Sequence, residues 1–295
     1  MKTLEALQRD MATTTDMQDI VRTMKVLAAV SIRQYERAQE SLQQYNRTVE
    51  LGLQAVLRRK PANTMGGGEK EQGEVGAIVF GSDHGLCGRY NENMAAFAMR
   101  ELDKMQRQTN GRRILVVGAR IDASLRAMGQ SVEECFWVPG TVDNITETVQ
   151  KILLKIDDWQ QQDIATIMLF HHARRQRVTY PPEVRQLLPV DLSRFNRDRN
   201  KPWPSRSLPQ FTMPAEQLLR SLIRQYLFGR LFNACAESLA GEHASRLMSM
   251  QVAEKNIQQR LESLTAVYRQ QRQNQITEEL LDVVSGFEAL QERKR

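Results

Sequence analysis

Residues 1–58 contain no proline and a single glycine, Gly52, and this stretch constrains the fold more than any other. Apolar or small residues recur at Leu4, Leu7, Met11, Thr14, Met17, Val21, Met24, Ala28, Ile32, Tyr35, Ala38, Leu42, Tyr45, Val49, Leu53 and Val56. Every step is three or four residues and the mean is about 3.5, the spacing of a coiled-coil seam. A helix over this span runs roughly 80 Å at 1.5 Å per residue. A stripe so narrow cannot be buried by the helix that carries it, so the pattern demands a second helix.

The second helix is read at the other end of the chain. From about residue 215 to 290 proline is absent, and glycine is limited to Gly229, Gly241 and Gly286. A seam passes through Leu218, Leu222, Tyr226, Phe232, Ala236, Leu239, Leu247, Met250, Ala253, Ile257, Leu261, Leu264 and Tyr268. The polar run "RQQRQNQ" (269–275) interrupts it, and "ITEELLDVVSGFEAL" resumes it. Two such stripes cover each other in an antiparallel coiled coil. The second is longer, leaving roughly 30 Å of helix past the end of the first. Ile276, Leu280, Val283, Val284 and Phe287 on that overhang then expect a partner.

The middle has another rhythm. "VGAIVF" (75–80), "RRILVVGA" (112–119) and "IATIMLFHHA" (164–173) are short apolar runs, as in strands buried on both faces. Helical patterns fall between them: "NMAAFAMRELDKMQ", "IDASLRAMG" and "ITETVQKILLKIDDWQQ". This alternation predicts a small sheet with helices on its faces. The expected division is a coiled-coil helix over 1–58, a linker over 59–74 and an α/β domain over 75–192. A proline-rich connection follows over 193–214, then a second coiled-coil helix over 215–290 and a basic tail over 291–295. The expected fold class is α/β with long helices, an antiparallel coiled coil of the N- and C-terminal helices flanking a small Rossmann-like α/β domain.

Composition agrees with a helix-rich chain, since 41% of residues are hydrophobic but only 6% aromatic. The formal charge of +6 is spread among 35 acidic residues, so no nucleic-acid partner is expected. Cys87, Cys135 and Cys235 are far apart and odd in number, which implies reduced thiols rather than a disulfide framework. No signal peptide is read in "MKTLEALQRD", and no apolar run is long enough for a transmembrane segment.

The stretch most like a reaction site is "GSDHGLCGRYN" (81–91), which follows the first strand. It lacks the P-loop lysine and the G-x-G-x-x-G spacing. A Cys87 nucleophile would need His84 as its base, three residues away on the same loop. A turn filled by small residues is the simpler reading. His171 and His172 end a strand and point to opposite faces, which disfavours a shared metal. His243 falls on the second seam, where packing outweighs ligation. "ARRQR" (173–177) is a solvated basic edge. No catalytic residue, metal site or cofactor is expected.

Three stretches resemble the gamma subunit of F-type ATP synthases. They are "MATTTDMQDIVRTMKVLAAVSIRQ" (11–34), "SDHGLCGRYN" (82–91), and "EHASRLMSMQVAEKN" (242–256) with "YRQQRQNQITEELLDVVSGFEAL" (268–290). The resemblance implies a non-catalytic central-stalk rotor that couples transmembrane ion flow to ATP synthesis or hydrolysis. Its implied partners are the alpha and beta subunits of the head, the epsilon subunit and the membrane c-ring. Its implied place is the cytoplasmic face of a bacterial cell membrane, as a peripheral protein. Carried over by position, Arg272, Gln273 and Thr277 would touch a beta-subunit loop. Met24 and Lys25 would lie near the beta subunit's acidic lever, with Arg9 a further cation. Ser82, Asp83, Gly85, Leu86, Cys87, Gly88 and Asn91 match the family's loop motif, read as structural.

The chain also departs from the family. Asp10, Asp16 and Asp19 stand on a helix that carries several lysines in relatives. "FTMP" (211–214) lacks the glutamate of an F/Y-E-P motif, so no c-ring contact residue is assigned. These departures point to a divergent branch, such as an alternate bacterial form. The competing readings are a coiled-coil adaptor and an enzyme built on Cys87 and His84.

Overall fold

The computed structural model describes residues 3–59, 74–106, 111–164, 166–175, 180–192, 195, 203 and 209–292. Most of the linker, most of the connection and most of the basic tail expected from the sequence lie outside these residues. The elements in chain order are α1 (Leu4–Arg59), β1 (Val75–Phe80), α2 (Tyr90–Gln106), β2 (Arg112–Val117) and α3 (Ala119–Ala127). They continue with β3 (Glu134–Phe136), α4 (Val142–Gln161), β4 (Thr166–His172), β5 (Pro182–Leu188) and α5 (Ala215–Glu292). The chain divides into two compact units: Met1–Leu27 with Leu247–Arg295, and Ala28–Arg246.

In the first unit the start of α1 runs antiparallel to the end of α5. Side-chain hydrogen bonds set the register: Gln8 Nε2 donates to Tyr268 Oη at 2.9 Å, Gln18 Nε2 to Gln258 Oε1 at 3.0 Å, and Lys25 Nζ to Glu254 Oε2 at 2.5 Å. Leu7, Gln18, Met250 and Leu264 are buried. Met17, expected on the seam, is 53% exposed, and Gln18 is buried in its place. The inward residues Leu4, Met11, Gln18 and Lys25 fall seven apart, as do Leu7, Thr14 and Val21. A polar side chain therefore holds a seam position where hydrophobicity alone selects its neighbour. Polar seam residues of this kind fix register at some cost in stability.

The second unit is built on a five-stranded sheet in the order β3-β2-β1-β4-β5. β1 pairs in parallel with β2 and β4, β3 is parallel to β2, and β5 is antiparallel to β4. The central strand β1 is buried along its whole length. Its alternate residues feed two cores. Ala77 and Val79 meet Met94, Ala98, Ile121 and Leu125 of α2 and α3. Ile78 and Phe80 meet Ile152 and Ile156 of α4, together with Tyr35 of α1 and Leu231 and Leu239 of α5. Trp159 is fully buried over Gly76, where an added Cβ would come within 2.7 Å of the indole. Its Nε1 donates to Glu133 Oε2 at 3.2 Å, so burial leaves no unpaired polar group. Burial of a side chain this large contributes about 3 kcal/mol.

Two further differences from the sequence reading concern α1 and α5 in this unit. Tyr45 is 38% exposed, and the seam is held by Asn46, whose Oδ1 would clash with a Cβ at Gly229. From Leu231 to Glu242, α5 has no broad solvent face, which makes it a core helix rather than one side of a narrow seam.

Candidate functional site

The loop of residues 81–89 stands at a significant place in the sheet. β1 continues to β2 on one side, whereas its other neighbour, β4, arrives later in the chain. In open α/β sheets the crevice at the carboxyl ends of such strands is where ligands bind. Here that crevice is filled from within the chain by the segment of α5 between Glu237 and Arg246.

At the end of β4, His171 Nε2 lies 3.0 Å from Glu237 Oε2, and Gln39 Nε2 of α1 donates to Glu237 Oε1 at 2.7 Å. His172 stacks on Tyr90 with ring centroids 3.9 Å apart, and burial pulls its pKa down to about 3. Tyr90 Oη donates to the Ser238 carbonyl at 2.7 Å. His243 stacks on Tyr35 at 5.7 Å, and burial, with Arg246 nearby, lowers its pKa to about 4. His172 and His243 are packed, neutral side chains, and His171 is buried against the Glu237 carboxylate.

At the end of β1, a polar network holds the loop itself. Asn91 Oδ1 accepts the Ser82 N–H at 2.9 Å, and Asn91 Nδ2 donates to Ser82 Oγ at 2.7 Å. Ser82 Oγ in turn donates to the His84 carbonyl at 2.9 Å. Asp83 accepts the Ala119 and Val138 N–H groups, both at 2.8 Å. Ala119 opens α3, so Asp83 places a carboxylate at a helix N-terminus, where backbone donors and the helix dipole favour it. Gly81 packs so closely that a Cβ there would collide with Ile121 Cβ.

The remaining contacts of the loop are with α5. Ser245 Oγ donates to the Cys87 carbonyl at 2.6 Å, and Arg246 Nη2 donates to the Gly85 carbonyl at 3.3 Å. Arg246 is oriented by Glu242, whose Oε1 lies 2.6 Å from Nη2. Burial pushes the Glu242 carboxyl up, and the Arg246 charge opposes that shift. Leu86 and Gly88 adopt positive φ of 64° and 59°.

This geometry does not build a nucleophile. Cys87 is buried, and burial raises its thiol above the ordinary value. Its Sγ faces Ser82 Oγ at 3.7 Å, while its contact with His84 is to the backbone carbonyl. The exposed imidazole of His84 is not its base.

The positions carried over as partner contacts all fall in the first unit. Arg9, Arg272, Gln273 and Thr277 are exposed, and Met24 is half-buried. Thr277 Oγ1 donates to the Gln273 carbonyl one turn earlier at 2.9 Å. Lys25 is half-buried, and its ammonium is engaged by Glu254, which Arg22 Nε also approaches at 3.4 Å. The sequence reading missed Glu254 and Glu242. Glu254 is a carboxylate facing the cations Arg22 and Lys25 of the first helix, whereas Glu242 sits four residues before Arg246 on its own helix, a spacing that the sequence does show.

The class defined by these features is a two-helix coiled coil joined to a doubly wound α/β domain whose ligand crevice is closed by its own helix. A family model described as ATP synthase matches residues 3–290. The ATP synthase gamma chain of a Nitratiruptor species is 24% identical over 297 residues, covering 98% of this chain and all of that one. That of Pelagibacter ubique is 26% identical over 298 residues, with 98% and 100% covered. Among solved structures, a chain of the Euglena gracilis mitochondrial ATP synthase assembly of OSCP, F1 and c-ring superimposes with a TM-score of 0.67. It is 15% identical, with 99% of this chain and 96% of that chain covered, and shows the shared fold. The chain belongs to the ATP synthase gamma family. Its role there is that of a non-catalytic central-stalk subunit. Among the described residues, no helix is long and apolar enough to cross a membrane.

Proposed function

We propose that this chain is the rotor shaft that couples ion flow through a membrane ring of c subunits to nucleotide chemistry in an alpha–beta head. In this reading the paired helices turn inside the head, and the α/β domain sits at the foot beside the epsilon subunit and the c-ring. The protein is peripheral, on the cytoplasmic face of a bacterial cell membrane. The shaft acts by differential contact, biasing each beta subunit in turn among conformations of different nucleotide affinity.

The observation that supports this most is the end of α5. Thr3, Leu4 and Leu7 line one side of a groove whose other side is formed by α5 residues ending at Glu278. Beyond Glu278 about 20 Å of helix continues. There Leu280, Leu281, Val283 and Val284 are 52–71% exposed. A helix that presents apolar side chains on several faces suits a surrounding sleeve better than one flat partner. The expectation of roughly 30 Å is the difference in length between the two helices; Gln270, Gln271, Asn274 and Gln275 of the polar run line the groove beside α1.

Met24, Lys25, Arg272, Gln273, Thr277 and Arg9 are the residues proposed to touch the beta subunits. The test is to assemble Arg272→Ala with alpha and beta subunits. Loss of ATP turnover stimulation, with assembly intact, supports the assignment. Unchanged stimulation would remove Arg272 from the contact set.

A further inference from the structure

The turn at Leu86 leads one step further. A positive φ is sterically costly for a leucine, and such conformations persist where their surroundings enforce them. Leu86 is 60% exposed, so packing of its side chain does not enforce this one. The enforcement falls on the two carbonyls that flank it. Gly85 O accepts from Arg246 Nη2 at 3.3 Å, and Cys87 O accepts from Ser245 Oγ at 2.6 Å.

Ser238, Glu242 and Ser245 fall at i, i+4 and i+7 on α5 and so share one face. That face meets Tyr90 at the start of α2 and the loop backbone, and its Glu242 holds Arg246, four residues on in the same helix, in its grip on the loop. The other side of the loop is tied to the sheet, because Asp83 binds Ala119 N–H at the start of α3 and Val138 N–H after β3. The loop is therefore a bracket. One side is fixed to the carboxyl ends of the strands, and the other is fixed to α5 at a point where Arg246 is only 12% exposed.

We propose that Ser245 and Arg246 clamp this loop to α5 so that torque passes between the α/β domain and the shaft through the flanking carbonyls of Leu86. The proposal rests on the rotor-shaft reading. Glu242 positions Arg246, and the left-handed turn keeps both carbonyls aimed at one helix face. A loop held only by apolar packing could slide along α5 under load, whereas two directional hydrogen bonds resist that motion.

The test uses the chain assembled with its alpha and beta subunits and a bead tethered through Cys135, the exposed thiol, while Cys87 and Cys235 are buried. Ser245→Ala and Arg246→Gln are compared with the unaltered chain for ATP turnover and for angular fluctuation of the bead during dwells. With turnover retained, the variance of the dwell angle should rise in each variant, since each loses one of the two hydrogen bonds from α5 to the loop. Unchanged variance in both variants, with turnover retained, would overturn the clamp. If Arg246→Gln fails to assemble, Ser245→Ala and Leu86→Gly decide the question, because neither removes the counter-charge of Glu242. Leu86→Gly should widen the variance as well, since glycine frees the turn; a variance equal to that of the unaltered chain would count against the clamp. Failure of the unaltered chain to stimulate turnover would instead refute the shaft reading.

Discussion

The Lys25 ammonium lies 2.5 Å from the Glu254 carboxylate across the helix pair, and Arg22 approaches the same carboxylate at 3.4 Å. Two cations on α1 thus share one anion on α5, and the hydrogen bond from Lys25 is the main reason the Glu254 carboxyl is held below its usual range. A carboxyl with a depressed folded pKa adds stability above its unfolded value of about 4.3 and loses it as pH falls through the folded value. Glu254→Gln should therefore melt at a lower temperature than the unaltered chain near neutral pH. The difference should close below about pH 4. Thermal unfolding across that range checks it, and a difference that persists in acid would place its cause elsewhere.

His172 makes a second acid-sensitive contribution, with the same sign. Its folded pKa of about 3 lies below the ordinary imidazole value, because burial beside Tyr90 disfavours the charge. The unfolded chain takes up a proton below about pH 6.5 while the folded chain resists it, so stability falls from that pH downward. His172→Phe keeps the ring stack and removes the titration. Its unfolding free energy should vary less with pH between about 6.5 and 4 than that of the unaltered chain, as measured by denaturant titration at each pH.

Two glycines separate backbone necessity from mere tolerance. Gly118 has φ of 124°, and an added Cβ would lie 2.8 Å from the Ser82 backbone. Gly118→Ala should destabilise the domain by about 3 kcal/mol or more, combining overpacking with a strained φ. A Cβ added at Gly140 would meet nothing within 4 Å. Gly140→Ala should stay within about 0.5 kcal/mol. Urea unfolding of the two variants reads the contrast directly.

These residues also mark how far the sequence alone could lead. β1 was legible to the residue because all six of its residues are buried and none carries a polar side chain. β3 and β5 were not. β3 is three residues long at the sheet edge, and β5 opens with Pro182 and carries Arg185 and Gln186, so neither shows the apolar run of a central strand. The seam was legible except where Gln18 and Asn46 displace Met17 and Tyr45. Polarity hides a seam residue from a hydrophobic count, and only its partner reveals it. The loop 81–89 carried the glycines and small side chains of a phosphate cradle because it occupies the place of one. That α5 closes the crevice could not be read without the topology.

Truncation after Glu278 isolates the overhang from the pairing. It removes residues that lie beyond the groove shared with α1, so the helix pair should keep its melting temperature. Coupling should nevertheless suffer, seen as fewer ions moved per ATP hydrolysed in reconstituted vesicles. Full coupling without the overhang would show that the exposed apolar end serves no contact in the head.

The most direct measurement is ATP turnover by an alpha–beta ring reconstituted with and without this chain, with rotation followed through a bead on Cys135. The chain alone should hydrolyse no ATP, and the assembled ring should turn the bead in one direction while turnover rises. Turnover by the isolated chain, or a ring whose turnover ignores the chain and leaves the bead without directed motion, would contradict the account of it as a shaft.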